Sequence, residues 1–232
     1  VALASLPFML LTRKVERRRL LMGVFAVFFG RLAQRCYGLL ETPGLRQHHA
    51  FVVDPDDRGL RLLDERGTVL ATHLEAYPLH HPAPGQVEQE PEDWWRAVCR
   101  GTRAVLEGAR VDRSNVAGVC FAGQMLTLVP MDAQGKPTRR ALSWMDARAD
   151  EEAKRLVRRL GGERIVHFLA GAAPSGKDLV AKVLWLAENE PSAHIRTAAY
   201  GDATSYLVAR ATGVLSLDAT AAGATGLLDV ES

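Results

Sequence analysis

The chain has 232 residues, of which 47% are hydrophobic and 24% are charged. This composition is typical of a globular protein and unlike that of a disordered segment. A net charge of +2 gives no reason to expect a dedicated nucleic-acid binder, and the length suits one large domain or two small ones.

The charge is unevenly distributed. Residues 1–48 carry eight Lys and Arg against two Glu, a balance of +6, which leaves the rest of the chain at −4. The apolar run "LLMGVFAVFFG" (Leu20–Gly30) follows three arginines but is too short to span a bilayer, and no convincing cleavage site follows it. We predict that residues 1–48 are an extension outside the core fold; a membrane-surface helix and an export signal are the alternatives. The first residue, Val1, fits an alternative start codon or a clipped chain equally well.

Residues 49–232 are predicted to form the folded domain, which begins with three strands. "AFVVD", "LRLLD" and "TVLATHL" are short apolar runs separated by turn residues, a pattern typical of successive antiparallel strands. A proline-rich loop then leads to a helix from Pro91 to about Gly108, with Glu92 and Asp93 favourably placed for the helix dipole. Its apolar face is predicted to contain Trp95, Val98, Thr102 and Val105.

The second half of the chain is predicted to be mostly helical. "VAGVCFAG" is typical of a buried strand, "MLTLVPMD" of its alternating partner, and "ALSWMD" of a further strand end. Helices are predicted at about 148–160, 163–170 and 178–188, and "DATSYLVARATG" predicts another that ends at Gly213. This order indicates an α/β domain with a mixed sheet, whose strand-end loops are natural places for a ligand.

Three cysteines show no metal-binding or disulfide spacing. Cys36, Cys99 and Cys120 lie in or beside apolar runs, which predicts buried thiols in a reducing compartment. We therefore expect a cytoplasmic protein.

Two motifs resemble ligand-binding loops but fail at decisive positions. Asp54, Asp56, Gly59 and Glu65 fit a calcium loop, yet the ligand position between Asp56 and Gly59 is Arg58. "GAAPSGKD" (Gly171–Asp178) ends in Asp where a P-loop needs Ser or Thr. We interpret this segment as a helix start, with Ser175 as the cap and Asp178 at the third helical position.

Histidine pairs at 48–49 and 80–81 lack acidic residues at ligand spacing, and we interpret them as loop residues. We predict no metal site in the chain.

Five blocks of sequence in one order carry a family resemblance. They are "PGQVEQEPEDWW" (Pro84–Trp95), "VAGVCFAGQM" (Val116–Met125), "LVPMDAQGKPTRRALSWMDARADEEA" (Leu128–Ala153), "KDLVAKVLWLAENEP" (Lys177–Pro191) and "YLVARATGVLSLDATAAGATGLLDV" (Tyr206–Val230). Together they resemble the N-terminal domain of the FGGY carbohydrate kinases, most closely the xylulokinases. The resemblance implies an actin-like, ribonuclease-H-like α/β domain that takes part in transferring a phosphoryl group from ATP, with Mg²⁺, to a hydroxyl of a ketose or polyol.

The resemblance also implies sugar-binding residues. Gln124 and Met125 match a "GQMHG" segment that lines the sugar pocket of the family, although Leu126 and Thr127 here replace its His and Gly. Trp144, Asp146 and Arg148 match the family's W-x-D-x-R. The Asp–Arg pair could hold sugar hydroxyls or could be a structural ion pair, and the sequence leaves both open.

The phosphate-contacting hairpin departs from the family pattern D-x-G-T-x-x-x-[RK]. Asp54 and Arg61 hold its first and last positions, but Asp56 replaces Gly and Asp57 replaces Thr. Added carboxylates repel phosphates, and a side chain blocks the close backbone approach that Gly allows. These changes predict impaired ATP chemistry.

In the family, the general-base Asp and the adenosine pocket belong to a C-terminal domain that would begin just after "LLDVES". We therefore expect no catalytic residue in this chain and no turnover by the chain alone. The chain is thus expected to be a truncated or degenerate kinase domain, and two interpretations remain: an enzyme whose C-terminal half is missing from this sequence or encoded separately, and a non-catalytic remnant that binds a sugar or a partner domain. Either predicts an exposed apolar face that receives a C-terminal kinase domain or mediates self-association.

Overall fold

The structure of the chain is a computed structural model that describes residues 49–54, 59–170 and 173–224. The strands are β1 His49–Asp54, β2 Gly59–Leu63, β3 Val69–Leu74, β4 Glu88–Gln89, β5 Val116–Phe121, β6 Val129–Met131, β7 Ala141–Leu142 and β8 Ala199–Gly201. The helices are α1 Pro91–Ala109, α2 Asp150–Arg159, α3 Glu163–Ala170, α4 Leu179–Asn189, α5 Pro191–Arg196, α6 Ala203–Thr212 and α7 Ala219–Ala224. The predicted extension, residues 1–48, lies outside the described residues.

The largest sheet has the strand order β3-β2-β1-β5. β1 pairs with β2 and β2 with β3 in antiparallel fashion, whereas β1 and β5 are parallel. The predicted antiparallel strands and mixed sheet are therefore confirmed. Because β1 and β5 are parallel, with Val53 opposite Phe121, the loops that follow these two strands leave the sheet at the same edge.

Two strand predictions are wrong in detail. β5 is not buried: three of its six residues are exposed, and Val119 is 52% exposed. It is an outer strand of the sheet that the structure describes, so it has one strand neighbour there. β6 does not pair with β5 but runs antiparallel to β8, with Val129 opposite Gly201. All three β6 residues are buried, and Val129 and Met131 belong to the main core.

The main core lies between the large sheet and helices α1 and α6. Leu60 and Leu62 of β2 pack with Trp94 and Val98 of α1 and with Tyr206 of α6. The rings of Trp94 and Tyr206 meet edge to face, with centroids 6.1 Å apart, a favourable aromatic geometry.

The predicted apolar face of α1 is shifted by one residue at two positions. Trp94 and Gly101 are buried, where the sequence pattern placed Trp95 and Thr102, while Val98 and Val105 are buried as predicted. Two adjacent tryptophans present the same apolar character to either register, so the pattern cannot decide which of them points inward.

Helix ends follow local side-chain chemistry. Asp202 precedes α6 and its carboxylate accepts a hydrogen bond from the Ser205 N–H (2.8 Å), a standard N-terminal cap. Gly213 ends α6 with φ of 75°, as predicted. The helix predicted at about 178–188 is confirmed as α4, but its predicted cap is wrong: the helix begins at Leu179, so Asp178 precedes it, and the Asp178 carboxylate accepts bonds from the N–H and hydroxyl of Ser175.

Apolar side chains are exposed at both ends of the described sheet, and the cysteines follow expectation in part. The outer strands of the described sheet expose the apolar side chains of Val69, Leu74 and Val119. Cys99 and Cys120 are thiols, as predicted, but they are half-buried where full burial was expected. Among the helices of the described residues, none combines the length and hydropathy needed to cross a membrane.

Candidate functional site

The candidate site lies where two loops meet. The first loop, residues 122–128, follows β5, and the second, residues 143–149, follows β7. Leu128 and Leu142 exchange backbone hydrogen bonds in both directions, each 2.9 Å long. This bridge brings the predicted residues Gln124 and Met125 into the neighbourhood of Trp144.

Thr127 connects the two loops through its side chain. Its hydroxyl accepts a hydrogen bond from the Trp144 N–H (3.1 Å) and donates one to Oε1 of Gln124 (3.2 Å). Thr127 itself is fully buried, and both of its hydrogen bonds are partly buried. Thr127 stands where the resemblance expects Gly, and the structure gives this departure a role: it fixes a candidate site residue on each loop.

The side chains of Met125 and Trp144 face solvent although their loops are anchored. Met125 is 53% exposed and Trp144 is 46% exposed, whereas their neighbours Thr127 and Ser143 are fully buried. An exposed indole offers a flat apolar face, and the Gln124 amide, linked to the Trp144 backbone through Thr127, offers hydrogen-bonding groups. That combination suits a small ligand with both C–H and hydroxyl groups.

Asp146 and Arg148 form a buried ion pair. The Asp146 carboxylate accepts bonds from the backbone N–H of Val87 (2.6 Å) and from Arg148, through its backbone N–H (3.0 Å), Nε (3.0 Å) and Nη2 (2.9 Å). The Asp146 side chain is 0% exposed and that of Arg148 is 4% exposed. These contacts fit a structural ion pair, the second of the two alternatives that the sequence left open; whether the pair also holds sugar hydroxyls stays a prediction.

The pair belongs to a larger network. Nη2 of Arg148 also lies 2.9 Å from Oε1 of Glu88, and Arg139 bridges Glu88 to Glu190. The guanidinium of Arg148 stacks over the Trp185 ring, 4.8 Å from its centroid. The second loop is thereby tied to β4 and α4.

Lys182 was missed by the sequence reasoning. It is fully buried in α4, and its Nζ donates hydrogen bonds to the carbonyl oxygens of Leu126 (2.7 Å) and Ser143 (2.8 Å). Burial lowers the pKa of Lys182 to about 8, an effect that the Asp146 charge partly opposes. Its position three residues after Leu179 and four before Leu186, both buried, was a signal in the sequence that this lysine points inward.

The predicted phosphate-contacting residues lie at the same sheet edge as the first loop. Asp54 ends β1 and is paired with Gly59 of β2, and Arg61 is a half-buried residue of β2. The turn between them, residues 55–58, lies outside the described residues, as does the acidic cluster of Asp56 and Asp57.

In the part of the chain that the structure describes, no three His, Cys, Asp or Glu side chains are grouped closely enough to hold a metal ion. What this edge offers among the described residues is a polar and aromatic surface on the first and second loops.

Known proteins resemble this chain in sequence and in fold. The model of the FGGY family of carbohydrate kinases, N-terminal domain, matches residues 59–232. A xylulose kinase of Lactococcus lactis is 34% identical over 174 residues, which are 73% of this chain and 34% of that protein. A glycerol kinase of Xanthobacter autotrophicus is 34% identical over 176 residues, 73% of this chain and 35% of that protein.

Among solved structures, the xylulose kinase of Rhodospirillum rubrum superposes with a TM-score of 0.69 at 22% identity, covering 80% of this chain and 38% of the other. The gluconate kinase of Lactobacillus acidophilus gives 0.65 at 20% identity, covering 80% and 37%. These likenesses confirm the predicted actin-like α/β fold. The chain spans little more than a third of the length of these relatives.

The matched residues include both loops and the buried network that joins them. The chain therefore belongs to the FGGY family of carbohydrate kinases, as a sugar kinase N-terminal domain.

Proposed function

We propose that this domain binds a ketose or polyol of the xylulose class on the surface formed by Gln124, Met125 and Trp144. The observation that carries the proposal is the exposure of Met125 and Trp144 on two loops that are anchored by buried Thr127. Preorganised loops lose little conformational freedom on binding, which favours affinity for a small ligand. The similarity to xylulose kinases supports the sugar class.

The proposed activity of the intact protein is phosphoryl transfer from ATP to a sugar hydroxyl. In this scheme the chain's own residues bind and orient the sugar: the amide of Gln124 pairs with a hydroxyl, and the indole of Trp144 packs against the C–H face. Asp146 and Arg148 support the loop beneath the sugar and do not touch it. Asp54 and Arg61 are proposed to face the nucleotide phosphates, and the Mg²⁺ that accompanies ATP supplies charge neutralisation there. We also infer a cytoplasmic location, supported by the thiol state of Cys99 and Cys120.

Titration of the purified chain with D-xylulose tests the binding proposal. We expect Trp144→Ala to weaken the affinity about fivefold, because one aromatic contact contributes on the order of 1 kcal/mol. Phe168→Ala is the matched control, since Phe168 is an exposed aromatic on α3, 81% exposed, outside both loops. Isothermal titration calorimetry measures both variants. Equal affinities of the wild type and Trp144→Ala would contradict the proposed surface.

A second candidate function, non-catalytic sugar binding, is favoured by one sequence feature. Asp56 and Asp57 stand where the family has Gly and Thr in its phosphate-contacting turn. A coupled assay of ATP consumption with D-xylulose is expected to show no turnover by this chain alone. Turnover that appears when a separately expressed FGGY C-terminal domain is added supports the kinase; sugar binding without turnover in that mixture supports the non-catalytic module.

A further inference from the structure

Lys182 of α4 binds the backbone of both the first and the second loop. Its ammonium nitrogen donates to the carbonyl of Leu126 on the first loop (2.7 Å) and of Ser143 on the second (2.8 Å). Each acceptor adjoins an exposed candidate ligand residue, since Leu126 follows Met125 and Ser143 precedes Trp144. A single side chain therefore spans the two segments that present the proposed sugar surface.

The backbone of Leu126 needs restraint. Its φ is 59°, in the left-handed region that a bulky L-residue rarely adopts. Such a conformation persists only where the surroundings enforce it, and it is common at ligand-binding sites. The carbonyl of Leu126 is one of the two that Lys182 binds, so the hydrogen bond from Lys182 restrains the residue that has the unfavourable φ.

We propose that Lys182 is a positioning residue for the sugar surface, fixing the left-handed turn at Leu126 and the spacing between Met125 and Trp144. The proposal rests on the proposed function for its effect on sugar affinity. Its effect on the loops themselves depends on the hydrogen bonds alone.

The charges around Lys182 are consistent with this role. Burial lowers its pKa to about 8, Asp146 and Asp178 act to raise the pKa, and Arg148 and Lys177 act to lower it. The side chain thus carries its charge at neutral pH, and hydrogen bonds from a charged donor are stronger than neutral ones. Two acidic and two basic residues thus act on the Lys182 ammonium from a distance, and its hydrogen-bond acceptors are two neutral carbonyl oxygens.

The experiment compares Lys182→Met with Leu186→Ala in the full chain. Lys182→Met retains the apolar stem but removes the ammonium donor from both carbonyls, of which that of Ser143 keeps the Asp146 N–H (2.9 Å). Leu186→Ala truncates another fully buried side chain of α4, one turn further on, and provides the control for loss of packing. Hydrogen–deuterium exchange is followed in peptides that cover residues 122–128, residues 143–149 and α1.

We expect Lys182→Met to speed exchange at least threefold in both loops relative to α1, and Leu186→Ala to change the loops no more than it changes α1. Unchanged loop exchange in Lys182→Met would overturn the proposal, as would equal loop effects in the two variants. Should Lys182→Met fail to fold, Lys182→Gln, which retains a shorter N–H donor, gives the same comparison.

Affinity for D-xylulose separates this proposal from the proposed function. We expect Lys182→Met to weaken binding about tenfold, with Leu186→Ala close to the wild type. A wild-type chain that does not bind the sugar contradicts the proposed function, while the exchange data still decide whether Lys182 restrains the loops. Normal sugar affinity in Lys182→Met contradicts the positioning role.

Discussion

Replacing Asp146 with alanine is expected to destabilise the domain by about 3–5 kcal/mol, the largest effect of any single change considered for this protein. The substitution removes the acceptor of the Val87 N–H and leaves the guanidinium of Arg148, with a side chain 4% exposed, without its bidentate partner. Breaking a buried ion pair from one side costs more than the pair itself contributes, because the remaining buried charge loses its main partner. Glu88, which Arg139 also contacts, is then left to offset the charge of Arg148. Urea unfolding followed by circular dichroism measures the change.

Two further variants sharpen this test. Glu151→Ala breaks an exposed ion pair with Lys154 and should leave the unfolding midpoint unchanged within error, because exposed pairs contribute little. Replacing both Asp146 and Arg148 by apolar residues should cost less than the sum of the two single changes, since neither charge is then left alone. Additive single and double effects would contradict a coupled buried pair.

Gly123→Ala is expected to destabilise the domain by about 1–3 kcal/mol and to lower sugar affinity at the same time. A β-carbon at this position would lie 2.2 Å from the hydroxyl oxygen and 2.5 Å from the backbone nitrogen of Thr204, at the start of α6. Because backbone cannot move aside as a flexible side chain can, the first loop must shift, and Gln124 is the next residue along it. Urea unfolding and titration with D-xylulose measure the two effects.

Gly118 provides the matched control for Gly123. It lies in β5, the strand that leads into the first loop, and an added β-carbon there meets nothing within 4 Å, so Gly118→Ala should leave stability and sugar affinity near their wild-type values. Adding Thr204→Ala to Gly123→Ala removes the hydroxyl but not the backbone nitrogen, and should restore little. Full restoration by Thr204→Ala would show that the side chain, and not the backbone, sets the limit.

Most strands and helices could be predicted from the sequence because the patterns that indicate them are local. The apolar runs that became β1, β2 and β3 and the Pro91 start of α1 depend on residues within a few positions of one another. The partner of β6 could not be predicted in this way, since it pairs with β8 some seventy residues further on. The exposure of β5 was missed because an apolar run predicts burial on both faces, whatever the number of neighbouring strands.

The residues of the candidate site could be predicted from the sequence, but the hydrogen bonds and ion pairs that hold its loops could not. The resemblance pointed to Gln124, Met125 and Trp144, and it left the role of Asp146 and Arg148 undecided. Only the structure distinguishes the exposed residues from the buried pair, because burial depends on elements distant in the chain, such as the segment containing Val87. Lys182 was not predicted, because lysine side chains lie mostly at protein surfaces.

Alternate residues of the second loop point in opposite directions, one toward solvent and the next but one into the protein. The backbone of Trp144 is held by Thr127 while its side chain projects outward, and the Asp146 side chain, two residues later, points into the protein interior. Residue 144 can therefore change its chemistry without disturbing the scaffold, whereas residue 146 cannot. If the proposed sugar surface is correct, ligand preference can change through the outward position 144, while folding depends on the inward position 146.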